Sequence, residues 1–277
     1  MMNTANNFKL KIYFYFLYRY ALRVMCYATK NMQTKKIIKF CEDYLKVNDF
    51  EDYCHNSLQV EGDSEIKKII TGVSLSEELI KKAITKKAQM IIVHHGIFAK
   101  HISSSFCLKG ILKNRLKLLL ENNINLAGFH LPLDAHGIIG NNISLAKKLG
   151  LKKTKPFDIG FIGELNQKIE FNDFVKLVNK KLNTKSYSIS AGCKKIKKIG
   201  IIAGSYPGYE LAKKLQADVY LTGEIKEEVF WEARELKINY IAAGHYNTEK
   251  LGIQNLGNLI AKKFKVTVEF VDIPCEV

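Results

Sequence analysis

The amino-acid sequence predicts an α/β protein made of internally duplicated βαβ units with mostly parallel sheets. Three observations carry that prediction. Apolar runs such as "MIIVHHG" (90–96) are continuous rather than alternating, as in strands buried on both faces of a parallel sheet. Segments with apolar residues at helical spacing separate these runs, so strand and helix alternate. The alternation also occurs twice. "MIIVHHG" lines up with "DVYLTGE" (218–224), and "INLAGFHLPLD" (124–134) with "INYIAAGHYNTE" (238–249).

The elements follow in order. "TKKIIKFCEDYLK" (34–46) has helical apolar spacing, with Thr34 as its expected cap. "IKKIITGVS" is a β-branched strand and "LSEELIKKAITKKA" an amphipathic helix; "MIIVHHG" is the next strand. "ILKNRLKLLLENN" is helical and "INLAGFH" a strand, which closes a first α/β half over 32–150. Residues 151–195, with Pro156, Gly160, Gly163 and the helix-like "FNDFVKLVNKKL", are expected as an inserted smaller α/β portion. The second half, 196–277, repeats the logic. It has a strand in "IKKIGIIAGS", a helix in "YELAKKLQA", a strand in "DVYLTGE", a helix in "EEVFWEARELK" and a strand in "INYIAAGH".

Residues 1–31 differ. "FKLKIYFYFLYRYALRVMCYA" is aromatic and basic, and Lys11, Arg19 and Arg23 break it too often for a membrane span. A membrane-surface helix is one reading. The preferred one makes Met32 the start of the folded chain and leaves 1–31 out of it. The net charge of +16 invites a nucleic-acid partner. Its lysines, however, fall in pairs such as Lys81-Lys82 and Lys147-Lys148, the spacing of solvated helix faces. Six cysteines without a C-x-x-C pair fit free thiols in a reducing cytoplasm, each expected as small core filler.

Chemistry gathers where the strands end. The first half places His94, His95, His130, Asp134 and His136 there; the second places Glu224, His245 and Glu249. Neutral imidazole and carboxylate are the ligands of borderline divalent ions such as Fe, Zn, Mn or Ni. In a regular strand His94 and His95 would face opposite ways, so a shared role requires the strand to end there. The set His94, His95, Asp134, His245 and Glu249 is the expected metal site. Glu249 can bridge two cations, since each oxygen has its own lone pairs. His130 is expected to orient Asp134, line the cleft or move protons, and Glu224 to act as general base or substrate contact. His136 reads as a loop histidine.

The chain resembles the GTP cyclohydrolase 1 type 2 homologue family, the NGG-one-interacting-factor-like dinuclear metal proteins, in its bacterial short form. The likeness covers residues 32–277. It rests on "NSLQVEG" (56–62), "TGVS" (71–74), "IIVHHGIF" (91–98), "NRLKLLLENNINLAGFHLPLDAHGIIGNN" (114–142), "DVYLTGEI" (218–225), "AAGHYNTEKLGI" (242–253) and "FVDIP" (270–274). The resemblance implies a two-metal site at His94, His95, Asp134, His245 and Glu249, with Glu249 bridging. It also implies a toroidal homohexamer, a trimer of dimers with the sites facing an internal cavity. Nothing in the family answers to residues 1–31. The expected function is metal-dependent hydrolysis of a nucleotide or similar small molecule; no P-loop is present. The alternatives are a non-catalytic metal-binding or delivery ring and, last, a nucleic-acid-binding ring.

Overall fold

The computed structural model describes residues 33–98 and 107–275. Helix α1 occupies residues 33–45. Thr34 lies inside it, and its hydroxyl donates to the Asp63 carbonyl at 3.1 Å instead of capping the helix. The first sheet contains β1 (Ser57–Val60), β2 (Lys68–Ser74), β3 (Met90–His95), β4 (Asn125–Gly128) and β11 (Thr267–Phe270), in the order β1-β4-β3-β2-β11. β2 pairs in parallel with β3 and β11, and β3 with β4; only β1 is antiparallel. The connections carry α2 (Glu77–Thr85) and α3 (Gly110–Glu121).

Strand parity divides the core. Ile69, Val73, Met90 and Ile92 pack with Ile37, Cys41 and Leu45 of α1. Their neighbours Ile70, Ile91 and Val93 pack on the other face with Leu79, Ile80 and Leu119 from α2 and α3. Burial on both faces accounts for the continuous apolar runs.

Past the short α4 (Leu131–Ala135) and α5 (Asn141–Lys148), the chain builds a second sheet, ordered β5-β6-β8-β9-β10-β7. Its strands are β5 (Lys152–Phe157), β6 (Gly160–Glu170), β7 (Tyr187–Ile189), β8 (Lys195–Ile201), β9 (Val219–Thr222) and β10 (Asn239–Ala242). Helices α6 (Phe171–Leu182), α7 (Tyr209–Lys214) and α8 (Glu227–Glu235) accompany it. Val219, Leu221 and Ile241 face Phe174 and Val178, while Tyr220 and Tyr240 face Ala212, Val229 and Ala233. Only β8/β9 and β9/β10 are parallel here, so the expectation of mostly parallel sheets holds for the first sheet and fails for the second. The reason lies in residues 151–195. Their β5 and β6 form a tight hairpin, which must be antiparallel, and with β7 they join the sheet of β8–β10.

One element spans both sheets. Helix α9 (His245–Phe264) leaves the end of β10, and its Ile253, Leu256 and Ile260 sit in the core of the first sheet. The chain then returns as β11 beside β2.

Among the described cysteines, Cys41 is buried, Cys54 is half-buried, and Cys107, Cys193 and Cys275 are exposed. Core filling therefore describes Cys41 alone; Cys26, like the proposed leader and His101, lies outside the described residues. Lys81 and Lys82 are solvated, in i,i+4 pairs with Glu77 and Glu78. No helix among the described residues is long and apolar enough to cross a membrane.

Candidate metal centre

All five expected ligands converge. His94 and His95 end β3, Asp134 lies in α4 just after β4, and α9 presents His245 and Glu249 at i,i+4 on one face. The two sheets thus direct the carboxyl ends of β3, β4 and β10 toward one point, where ligands of open α/β sheets bind. The adjacent histidines do share a site: their ring centroids lie 4.6 Å apart.

Glu249 is 2% exposed and divides the cluster. His94 Nε2 lies 3.6 Å from its Oε1 and 3.4 Å from Asp134 Oδ2. His95 and His245 lie on the other oxygen, with Nε2 at 3.2 and 2.9 Å from Oε2. Of four groups close enough to hold an ion, two share Glu249, His94 with Asp134 and Glu249, and His95 with His245 and Glu249; His130 completes the other two, with His94 and His95 and with Asp52 and Cys54.

The outward nitrogens set the inward ones. His94 Nδ1 is 2.8 Å from the Phe129 carbonyl, an acceptor only, so Nδ1 carries the proton and Nε2 turns inward. His245 Nδ1 is 2.5 Å from Glu224 Oε1, with the same consequence. Ser74 Oγ holds His95 Nδ1 at 2.8 Å. Asn141 Nδ2 donates to Asp134 Oδ1 at 2.8 Å, leaving Oδ2 toward His94. Partners of this kind fix ring orientation and tautomer at metal sites.

Two observations test whether a cation suits these residues. First, His94 Nε2, His245 Nε2 and Glu249 Oε2 are buried without a hydrogen-bond partner. His245 Nε2 is close to Glu249 Oε2 yet not aligned with it as donor to acceptor, which is how ligand atoms sit around a shared centre. Buried polar atoms left so are costly. Second, the electrostatics call for positive charge. Burial alone would lower the pKa of His94, but Asp134 and Glu249 outweigh it and hold it well above the ordinary value. His245 is likewise opposed by burial, and Glu249 and Glu224 raise it to about 9. Burial pushes Glu249 up, but His94, His95 and His245 hold it well below the carboxylate range. His95 is lowered, by burial first. Without a cation, the centre balances its carboxylates by protonating imidazoles; a divalent cation would replace those protons. The residues fit one.

Gly204 makes room. Its φ of +69° suits glycine, and a Cβ there would stand 2.0 Å from Glu249 Oε1.

His130 lines the cleft as expected, 5.0 Å from His94 and 5.5 Å from His95 between ring centroids, and Glu224 reaches the same centre; only the expected contact of His130 with Asp134 is absent. His130 Nδ1 is instead 2.9 Å from Asp52 Oδ1. Tyr53 Oη lies 3.3 Å from His130 Nε2. Glu224 contacts His245. His136 is a structural histidine, stacked on Tyr44 and bonded to the Tyr44 carbonyl at 3.2 Å.

Asp52, Tyr53, Ser74, Asn141 and Gly204 were not legible as site residues. Asp52 follows no strand, so a search at strand ends passes over it. It is nonetheless firmly held: burial opposes its charge, but His130, Asn56 and the Cys54 amide keep it well below the carboxylate range.

Comparison with known proteins extends the picture. The family model described as Duf34/NIF3 (NGG1p interacting factor 3) matches residues 32–276. A Haemophilus influenzae protein named "GTP cyclohydrolase 1 type 2 homolog" is 42% identical over 250 residues, 88% of this chain and 98% of that protein. A Pseudomonas aeruginosa protein of the same name is 37% identical, covering 86% and 96%. Among solved structures, protein ybgI, of unknown function, superposes with a TM-score of 0.84 at 33% identity, covering 88% of this chain and 99% of that one. TTHA1606 from Thermus thermophilus gives 0.81 at 33% identity with the same coverage.

Proposed function

This chain belongs to the Duf34/NIF3 (NGG1p interacting factor 3) family, and on that premise we propose a dinuclear metal-dependent hydrolase acting on a nucleotide or similar small molecule. The carrying observation is the division of His94 with Asp134, and His95 with His245, between the two oxygens of Glu249. His94, Asp134 and Glu249 would hold one cation, and His95, His245 and Glu249 the other. When bound, such a pair supplies Lewis acidity to a scissile group and lowers the pKa of water toward neutrality.

The chain's own residues do the rest. Asp52 accepts from His130 Nδ1, which leaves a lone pair on His130 Nε2 close to the centre. His130 thereby takes and returns a proton at Nε2, with the Tyr53 hydroxyl beside it. Glu224 acts through His245 as its positioning residue. The assembly proposed for this function is the homohexamer.

Elemental analysis paired with a nucleotide-turnover screen on one preparation tests the reading. Close to two divalent ions per chain, and turnover lost in His95→Ala, are expected. Stoichiometric metal without turnover would turn the reading to metal storage or delivery. Metal-free protein after exposure to Fe, Zn, Mn and Ni would end it.

A further inference from the structure

A cavity of about 760 Å³ lies beside the start of α9, and none of the five cluster residues lines it. Glu224 does, and it is the wall shared with the metal centre, because its Oε1 holds His245 Nδ1 on the side away from Glu249. The other acid in the lining, Asp272, accepts from the Tyr246 hydroxyl. Both acids thus have partners within the protein. The lining cations do not pair with them: among the described residues neither Lys185 nor Lys250 makes an ion pair, and Lys250 Nζ meets only the Asn247 amide oxygen, at 3.3 Å, and the face of Tyr246. Thr184 Oγ1 accepts from Asn247 Nδ2 at 3.2 Å, so its own proton is available to donate. Tyr187 stands in the same lining, 50% exposed, and offers a ring to the body of a ligand. Two ammonium groups and a hydroxyl donor, beside acids that each have one oxygen engaged within the protein, suit an oxyanion, and the volume is that of a small-molecule site.

We propose that this cavity binds a small molecule through a phosphoryl or carboxylate group held by Lys185, Lys250 and Thr184, and that Glu224 couples it to the metal centre. The binding stands on the cavity alone, whereas the coupling rests on the dinuclear reading. The sign follows from charge. An anion on the Nδ1 side of His245 adds negative potential there and favours a cation at Nε2, so each ligand tightens the other.

Calorimetry on the full chain tests both parts, with sulfate as the tetrahedral dianion, acetate as the carboxylate and Mn²⁺ as the cation. Saturable binding to chelator-treated protein is expected. In a Lys185→Ala/Lys250→Ala variant of unchanged melting temperature it should weaken at least about tenfold, as expected for losing charge-assisted bonds. Tighter sulfate than acetate assigns a phosphoryl ligand, and the reverse a carboxylate. Saturating anion should tighten Mn²⁺ binding about fivefold, and the double variant should lose that gain. Equal anion binding in the double variant overturns the site. So does anion binding that requires Mn²⁺ and vanishes in His245→Ala, since the anion would then sit on the cations. If Mn²⁺ does not bind while the lysine-dependent anion does, the cavity stands and the coupling falls with the metal reading.

Discussion

Metal uptake should be driven by pH through His245. In the metal-free protein burial works against its charge, but Glu249 and Glu224 raise its pKa to about 9. At pH 7 a cation at Nε2 must therefore displace a proton. Two pH units of competition weaken apparent affinity ~100-fold relative to the plateau, about 2.7 kcal/mol. Only 28% of the side chain is exposed, so solvent screening leaves most of this in place. Apparent zinc affinity should rise nearly tenfold per pH unit between about 6.5 and 8.5, with the matching proton release. His94, in the other half, is also held well above its ordinary value and adds its own proton, whereas His95, lowered by burial, adds none. Competition with a chromogenic chelator in buffers of different ionisation enthalpy measures slope and protons together. Glu224→Gln should shift the window to lower pH, because one of the carboxylates raising His245 is gone. A flat or falling affinity across this range would refute the claim that carboxylates protonate these imidazoles until a cation arrives.

The metal-free fold should show the opposite trend. A raised histidine pKa stabilises below the unfolded value near 6.5 and loses that contribution as pH climbs through 9, so urea midpoints of chelated protein should fall across this window while the loaded protein's do not. On the high-pH plateau, where protons no longer compete, Glu224→Gln should weaken metal binding ~10–100-fold with little change in far-UV dichroism, as expected for a ligand-orienting partner. Gly204→Ala should displace Glu249 and cost about 1–3 kcal/mol, read by denaturation and metal content; full metal occupancy would contradict the close approach. Asp52→Asn should shift the pH profile of any turnover while metal content stays at the wild-type level, since among the described residues Asp52 hydrogen-bonds His130, Asn56 and the Cys54 and Leu131 amides and none of the five expected ligands.

How much of this could be read from the sequence depended on which interactions were local. The strands β2, β3, β4, β9 and β10 declared themselves because burial on both faces demands continuous apolar runs, and the ligands declared themselves by standing where those runs end. Sheet composition could not be read so directly. Nothing in 151–195 says that its strands add antiparallel edges to the second sheet, because pairing partners are chosen by contacts distant in sequence. Asp52 and Asn141 were hidden for a related reason. Each is one polar residue in a loop or at a helix start, and only the partner it meets, His130 or Asp134, gives it meaning.

The longest helix among the described residues was the least visible. Residues 245–264 carry Gly252 and Gly257 in mid-helix, along with several Asn, so local propensity argues against α9. Tertiary packing explains the apparent defect. At Gly252 a Cβ would stand 2.7 Å from Asn141 Oδ1, and the Gly252 amide donates to that same oxygen at 2.6 Å. The nitrogen of the Asn141 side-chain amide holds Asp134. One asparagine therefore fixes a ligand from the first half to the helix that delivers His245 and Glu249 from the second, and the glycine is what lets the helix come close enough. The residue that weakens the helix in isolation allows it to join the two halves of the centre.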